Sequence, residues 1–368
     1  MNPVPNGIRL RNAEISHKMI WKIQTTELTA AEEIMIDEKK TLGELLSDPL
    51  IGKIAPDAIR NMDLSKDEKW GKSLKQLRED CFGGDLTAGF ETLYRAARSG
   101  EWYYPLYSEA ECAEDGNRKG TNLVWLPSSA ENAGSRPYIL LVPGGGFVNV
   151  WNLTEGWPVA AQFNRLGYNV FILTYQVAAG DLLLDREMGD FARAIRLIRD
   201  NAEKFSVDWQ RYITCGFSAG GYLVCLWNVP EKGYAFHGLP KPQAVFPVYP
   251  LVSWELNRRD YEEKGWEENE EDDDSDLALF GCNIEAAIRS PFEIPDHAEG
   301  FPPCAVFMTE TDELVNPEHS RLLQRVLQQK GIPCRLEAGP SGGHGFADGT
   351  GMCMAGWTER AIRWYEAL

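Results

Sequence analysis

From Tyr104 to Leu368 the chain alternates short apolar runs with amphipathic stretches, and this alternation limits the fold more than any other feature. The runs are "TNLVWLP", "YILLVPGG", "NVFILTYQV", "YITCGFS", "AVFPVYPL", "CAVFMTE" and "CRLEAG". Because most of them are apolar at consecutive rather than alternate positions, they read as strands covered on both faces. Between several of them lie helical stretches: "GWPVAAQFNRLG", "REMGDFARAIRLIRDNAEKF", "GGYLVCLWNV" and "PEHSRLLQRVLQQKG". Strands alternating with helices imply an α/β fold with a mainly parallel, doubly wound sheet. With 368 residues, 43% of them hydrophobic, the chain can bury one large core with additions.

Two segments stand outside this rhythm. Residues 1–100 read as a helical N-terminal extension, a cap or an interface, preceding a main domain at 101–368. Within it, "SKDEKWGKSLKQLREDC" has the Ser65-x-x-Glu68 spacing of a capping box and sets Trp70, Leu74, Leu77 and Cys81 on one helical face. "TLGELLSDP" carries a shorter apolar stripe, stopped by Pro49. Residues 253–302 form an insertion before the next strand, expected above the carboxyl edge of the sheet. It contains "EEKGWEENEEDDDSD", ten acids and one lysine, which supply −9 of the formal net charge of −18. Such a run reads as a solvated loop, and it lacks the interleaved glycine of a calcium loop.

An acidic chain has no electrostatic reason to bind nucleic acid or an anionic membrane, and neither partner is expected. No apolar stretch has signal-peptide or membrane-spanning length, so a cytoplasmic protein is expected. The eight cysteines are scattered and read as reduced thiols, and the five histidines fall at no metal-ligand spacing, so no metal and no cofactor are expected.

The stretch "YITCGFSAGGYLV" joins a strand to a helix at "GFSAGG". In a doubly wound sheet ligands sit beyond the carboxyl ends of the strands, where strand turns into helix. The pentapeptide fits G-x-S-x-G, a strained turn that exposes the Ser218 hydroxyl over a helix N-terminus. The competing reading is a small-residue turn that packs a helix on a strand.

A serine hydroxyl becomes a useful nucleophile only when a base takes its proton and an acid orients that base. In this kind of sheet the chain order is serine, acid, histidine. His344, in "GPSGGHGF", follows the last strand candidate. His319, in "PEHSRLLQRVL", is expected on a helix surface, and His237 and His297 precede the best acid. Asp312, in "CAVFMTETDELV", sits past a strand end, with Glu310 and Glu313 as rivals. "LLVPGGGFVNVW" adds three glycines after a strand, able to turn two N–H groups toward one oxygen, and no phosphate-loop pattern is present.

On "PGGGF", "TEGWPVAAQFNRLGYNVFILTYQV", "GFSAGG", "TDELV" and "GGHGF", the chain from about Tyr103 onward resembles the α/β-hydrolase superfamily. More narrowly it is similar to the acetylesterase and carbohydrate-esterase-like branch related to hormone-sensitive-lipase-type esterases. The resemblance implies Ser218 as nucleophile, His344 as base, Asp312 as its orienting acid, and the N–H groups of Gly145, Gly146 and Ala219 as oxyanion hole. The chain departs from the related lipase-like pattern at Pro143, where a histidine is usual, and at Thr309, where a glycine often opens the acid motif.

The expected activity is hydrolysis of short-chain, above all acetyl, esters of carbohydrate or other small alcohols through an acyl-enzyme. A feruloyl or other aromatic esterase and a catalytically inactive binding module are the alternatives. Phe147, Trp151 and Trp254 are the candidate substrate contacts, with Trp157 and Trp266 as further aromatics near the same motifs. The expected partner is a small-molecule or oligosaccharide ester, and the helical extension makes a homodimer conceivable.

Overall fold

Eight strands form one mixed sheet in the order β1-β2-β4-β3-β5-β6-β7-β8. They are β1 Tyr103–Pro105, β2 Asn122–Leu126, β3 Tyr138–Val142, β4 Val170–Thr174, β5 Tyr212–Phe217, β6 Ala244–Val248, β7 Cys304–Thr309 and β8 Cys334–Gly339. β2 runs antiparallel to β1 and to β4, and every other pairing is parallel. The computed structural model describes residues 35–80, 82–178, 180–265 and 270–368, apart from the side chains of 270–273. Residues Ile36–Leu368 make one compact unit.

β3 to β7 are buried at every position, which is why their sequences are continuously apolar. The helices Leu183–Asp200, Ser218–Leu226 and Glu318–Gln329 share one continuous core with the strands. In the first of these, Leu184, Met188, Phe191, Ile195 and Ile198 recur every three or four residues along the buried stripe. The helices Trp157–Arg165, Trp357–Glu366 and Leu86–Ser99 pack together elsewhere on the sheet, through Phe163 against Trp357 and Phe90 against Trp157. β1 was not visible in the sequence, because three residues ending in Pro105 carry no strand pattern at a sheet edge.

Residues 36–100 are tied by backbone to the loop after β3 and by side chains to β2, where Asn122 Nδ2 donates to Asp57 Oδ2 at 3.0 Å. Arg60 N–H bonds Val150 O at 3.0 Å, and Leu153 N–H bonds Ala58 O at 2.7 Å. The capping box expected at Ser65 and Glu68 lies elsewhere. Asp63 and Asp67 accept N–H groups two residues on, which closes two short 3₁₀ turns, and the helix begins only at Leu74 with Ser73 and Gln76 as the reciprocal pair. Trp70 therefore precedes the helix, and Cys81 lies outside the described residues. The insertion holds helices Trp254–Glu263, Glu270–Phe280 and Ile284–Ile288, so the acidic run expected as a loop lies largely in two helices, and Trp266 lies outside the described residues. Among the described residues no helix is long and apolar enough to cross a membrane.

Candidate active site

Ser218 opens the Ser218–Leu226 helix straight from the end of β5, with φ of 52°, a left-handed conformation that side chains other than glycine rarely adopt. The flanking glycines follow from close backbone approach. A Cβ on Gly216 would stand 2.2 Å from Gly220 O, and one on Gly220 would stand 2.2 Å from Val142 O. Neither backbone oxygen can yield, so the two positions admit no side chain.

His344 Nε2 lies 3.0 Å from Ser218 Oγ, and His344 Nδ1 lies 2.7 Å from Asp312 Oδ2. The tautomer protonated on Nδ1 satisfies both contacts, donating to the carboxylate and accepting from the hydroxyl. Asp312 Oδ1 accepts the N–H groups of Leu314 at 3.0 Å and Val315 at 2.9 Å, which fixes the carboxylate as the chain leaves β7. Its side chain is only 1% exposed. Of its rivals, Glu313 is exposed, and Glu310 is exposed and pairs with Arg321. The acid and histidine loops are cross-linked where Thr309 Oγ1 donates to Gly343 O at 2.8 Å and Gly343 N–H donates to Thr311 Oγ1 at 3.2 Å. Thr309, a departure from the family pattern, thus contributes a hydroxyl that a glycine lacks.

Across the cleft, the glycine turn after β3 brings Gly145 and Gly146 to the same cavity as Ser218. Among the described residues no acceptor takes the N–H groups of Gly145, Gly146 or Ala219. Gly144 N–H is engaged, donating to Glu155 Oε2 at 2.6 Å. Tyr175 O–H holds the preceding carbonyl, Pro143 O, at 2.8 Å.

These groups border a cavity of about 640 Å³. Phe147, Trp151 and Trp254 all line it, together with Phe82 and Gly83 from the N-terminal segment and Asn257, Tyr261 and Leu279 from the insertion. Phe147 packs 6.0 Å from Trp254 between ring centres, and both rings abut Tyr222. Trp254 is held from below, since Ser253 caps its helix and the buried Glu293 accepts its N–H at 2.8 Å. Trp157 is absent from the lining and sits in the core against Phe90.

The other histidines have separate surroundings. His237 stacks on Trp227, and His297 faces Glu231 at 3.6 Å. His319, expected on a helix surface, is 1% exposed, because the first turn of its helix faces inward and Val252 N–H approaches its Nδ1 at 3.4 Å. Burial pushes its pKa down to about 4. Among the described residues no group of three or more His, Cys, Asp or Glu side chains could hold a metal ion.

Glu155 and Tyr249 line or adjoin this site and carry no motif that marks them in the sequence. The only signal was a carboxylate within the otherwise apolar "TEGWPVAA". Glu155 is buried, which raises its pKa, opposed by hydrogen bonds from Gly144 N–H and Tyr249 O–H and by the proximity of His344.

Known proteins resemble this chain in both sequence and fold. Residues 124–327 match the BD-FAE family model. Endo-1,4-beta-xylanase B of Butyrivibrio fibrisolvens is 28% identical over 232 residues, 61% of this chain and 34% of that protein. Acetylxylan esterase of Xylanibacter ruminicola is 27% identical over 253 residues, 65% of this chain and 45% of that protein. The chain thus spans between about a third and a half of the length of these two relatives. The acetyl ester-xyloside bifunctional hydrolase of Caldicellulosiruptor lactoaceticus superimposes with a TM-score of 0.56 at 25% identity, over 72% of this chain and 95% of that one. The fold is accordingly that of the α/β-hydrolases. With the match covering more than half of its 368 residues, the chain belongs to the BD-FAE family, within the carbohydrate-esterase-like α/β-hydrolases.

Proposed function

We propose that the protein is a serine carboxylic-ester hydrolase in which Ser218, His344 and Asp312 form the catalytic triad. The observation that carries this reading is the unbroken contact line from Asp312 through His344 to Ser218 Oγ, in a cavity that also exposes three N–H groups without acceptors among the described residues. As Ser218 Oγ attacks the ester carbonyl, its proton passes to His344 Nε2, and the carbonyl oxygen becomes an anion received by the N–H groups of Gly145, Gly146 and Ala219. Asp312 keeps the imidazole in its working tautomer and balances the imidazolium. The alcohol leaves with the Nε2 proton, and water releases the acid by the reverse route.

Acetyl and other short acyl esters of carbohydrates are the favoured substrates, supported by the acetylxylan esterase and the acetyl ester-xyloside hydrolase among the similar proteins. A cavity of about 640 Å³ with walls from Phe82, Phe147, Trp151, Trp254 and Tyr261 favours a second reading, an aromatic acyl ester. Under either reading, the segment around Phe82 and Gly83 and the 253–302 insertion serve as a cap over the site.

Incubation with a fluorophosphonate, peptide mapping of the label and assay with 4-nitrophenyl acetate test the triad. Labelling at Ser218 with loss of turnover is expected. Full turnover in protein labelled elsewhere would remove the assignment. A comparison of acetyl, butyryl and feruloyl esters then separates the two substrate readings.

A further inference from the structure

Glu155 is buried in the wall of the cavity and takes no part in the proton transfers assigned above. It is presented by a π turn, Asn152–Gly156, a rare geometry that is frequent at functional sites. Its two carboxylate oxygens face two different loops. Oε2 accepts Gly144 N–H at 2.6 Å, and Oε1 accepts Tyr249 O–H at 2.8 Å. The same Tyr249 oxygen accepts Ala347 N–H at 3.3 Å, and the Tyr249 ring lies 4.6 Å from the His344 ring between centres. Tyr249 itself has a φ of 37°, a strained backbone held in place by its N–H bond to Phe307 O at 2.6 Å. A continuous chain of contacts therefore runs from the glycine turn after β3, through Glu155 and Tyr249, to the loop that carries His344.

We propose that Glu155 is a positioning residue which, through Tyr249, sets the glycine turn and the histidine loop in register and stabilises the imidazolium that forms during acyl transfer. The inference rests on the triad reading above. A carboxylate suits the place because two donors arrive from opposite sides, whereas a glutamine offers one acceptor oxygen and must turn its NH₂ toward the other. Engaging Gly144 N–H also orients the turn so that the next two N–H groups remain without acceptors. The titratable groups that act on or are acted on by Glu155 are Tyr249, His344, Tyr175 and Cys215. Around the imidazole stand Asp312, Tyr249 and Ser218, with Glu155 behind the tyrosine. His344 is the one of these groups that becomes a cation, and the two hydrogen bonds donated to Glu155 favour its carboxylate form against the rise that burial causes; Arg60 is the cation on the far side, acting on Tyr175.

The test compares the wild-type protein with Glu155→Gln, Tyr249→Phe and the double variant, with Ser218→Ala as the blank. The readouts are 4-nitrophenyl acetate kinetics from pH 5 to 9 and the rate of fluorophosphonate labelling, with thermal melting to confirm folding. Each single variant is expected to lose about tenfold in kcat with KM within about twofold, the signature of an interaction that matters in the transition state. Glu155→Gln is further expected to move the acid limb of kcat/KM to lower pH by about half a unit, since the imidazole becomes harder to protonate when the anion is removed. The double variant is expected to be no slower than the slower single one, because the two residues act as one unit. A folded Glu155→Gln protein with wild-type kcat and an unmoved acid limb overturns the proposal, as do multiplicative losses in the double variant. If Glu155→Gln does not fold, a folded Tyr249→Phe protein with wild-type kcat overturns it instead. A wild-type protein that is neither labelled at Ser218 nor active on esters sinks the triad reading and takes this inference with it, whereas an active wild type with an indifferent Glu155→Gln sinks the inference alone.

Discussion

The floor and the roof of the cavity are built by different means. The floor, from the glycine turn after β3 to the Ser218 turn and the loops after β7 and β8, is a backbone framework pinned by buried side chains. Its atoms are fixed by hydrogen bonds to Glu155, Tyr175, Thr309 and Thr311, and by glycine contacts too close for any side chain. The roof comes from the N-terminal segment and the insertion, through Phe82, Trp254, Asn257, Tyr261 and Leu279, with Leu314 at the rim. It is a matter of side chains, some well out in solvent: Leu314 is 65% exposed and Tyr261 45%. On the proposed reading, chemistry that needs atoms placed to a fraction of an ångström falls to the pinned framework, and choice of substrate to the part that can vary without disturbing it.

The comparison is broken most directly at the floor. Ser218→Ala is expected to lower kcat by about 10⁴ to 10⁶-fold with little change in melting temperature, since only one oxygen is removed. Asp312→Asn is the next largest, about 10³ to 10⁴-fold, because an amide that presents its NH₂ to His344 Nδ1 selects the wrong tautomer. Steady-state kinetics beside thermal melts check both. A loss under tenfold for either, in folded protein, would detach that residue from the floor.

The floor was also the legible part of the sequence, for the same physical reason. Gly216 and Gly220 are forced by approaches of 2.2 Å to backbone oxygens, so the requirement is written as residue type at fixed spacing. Asp312 and His344 could be ordered along the chain because loops after successive parallel strands converge on one edge. What this logic could not reach were contacts that skip the strand order. Glu155 looks like any helix-start carboxylate until its partners are seen, Gly144 at the other end of its own loop and Tyr249 on the loop after β6. Phe82 enters the roof from a segment with no strand pattern. The seven apolar runs marked seven of the eight strands, and β1 escaped because it is a three-residue edge. His319 was misjudged although the helical period places it on the buried stripe, four residues before Leu323 and eight before Leu327, because a polar residue in the first turn was read by its type rather than by its position.

The roof offers a sharper version of the same contrast. Trp254→Ala is expected to change the ratio of kcat/KM between feruloyl and acetyl esters by roughly 10 to 100-fold, while hydrolysis of 4-nitrophenyl acetate falls less than tenfold. Phe82→Ala is expected to act in the same sense but more weakly, as its ring is one wall among several. Equal losses on every ester would show that Trp254 supports the floor instead, through its packing on Phe147 and Tyr222. The acyl-chain profile of each variant separates these outcomes.

The smallest effect on turnover is expected at His319, which lies under the roof and touches neither surface of the cavity. His319→Gln keeps an acceptor for Val252 N–H, and kcat/KM at pH 7.5 is expected to stay within about threefold of wild type. Stability is where the residue acts. Burial lowers its pKa from an ordinary 6.5 to about 4, opposed by the charges of Asp260 and Asp312. Between those two pH values the unfolded chain binds a proton that the folded protein refuses, so the contribution of the neutral imidazole is complete above about pH 6.5 and is lost as the pH falls toward 4. Urea melts at pH 7 and pH 4.5 are therefore expected to show wild type losing about 2 to 3 kcal/mol relative to His319→Gln. The difference between the two proteins is the quantity to measure, because buried Asp57 and Asp190, each raised to about 6, change stability in the opposite sense in both. Parallel losses in the two proteins would mean that the imidazole is protonated inside the fold beside Asp260 and Asp312, and the region under the roof would then be wetter and more yielding than the floor.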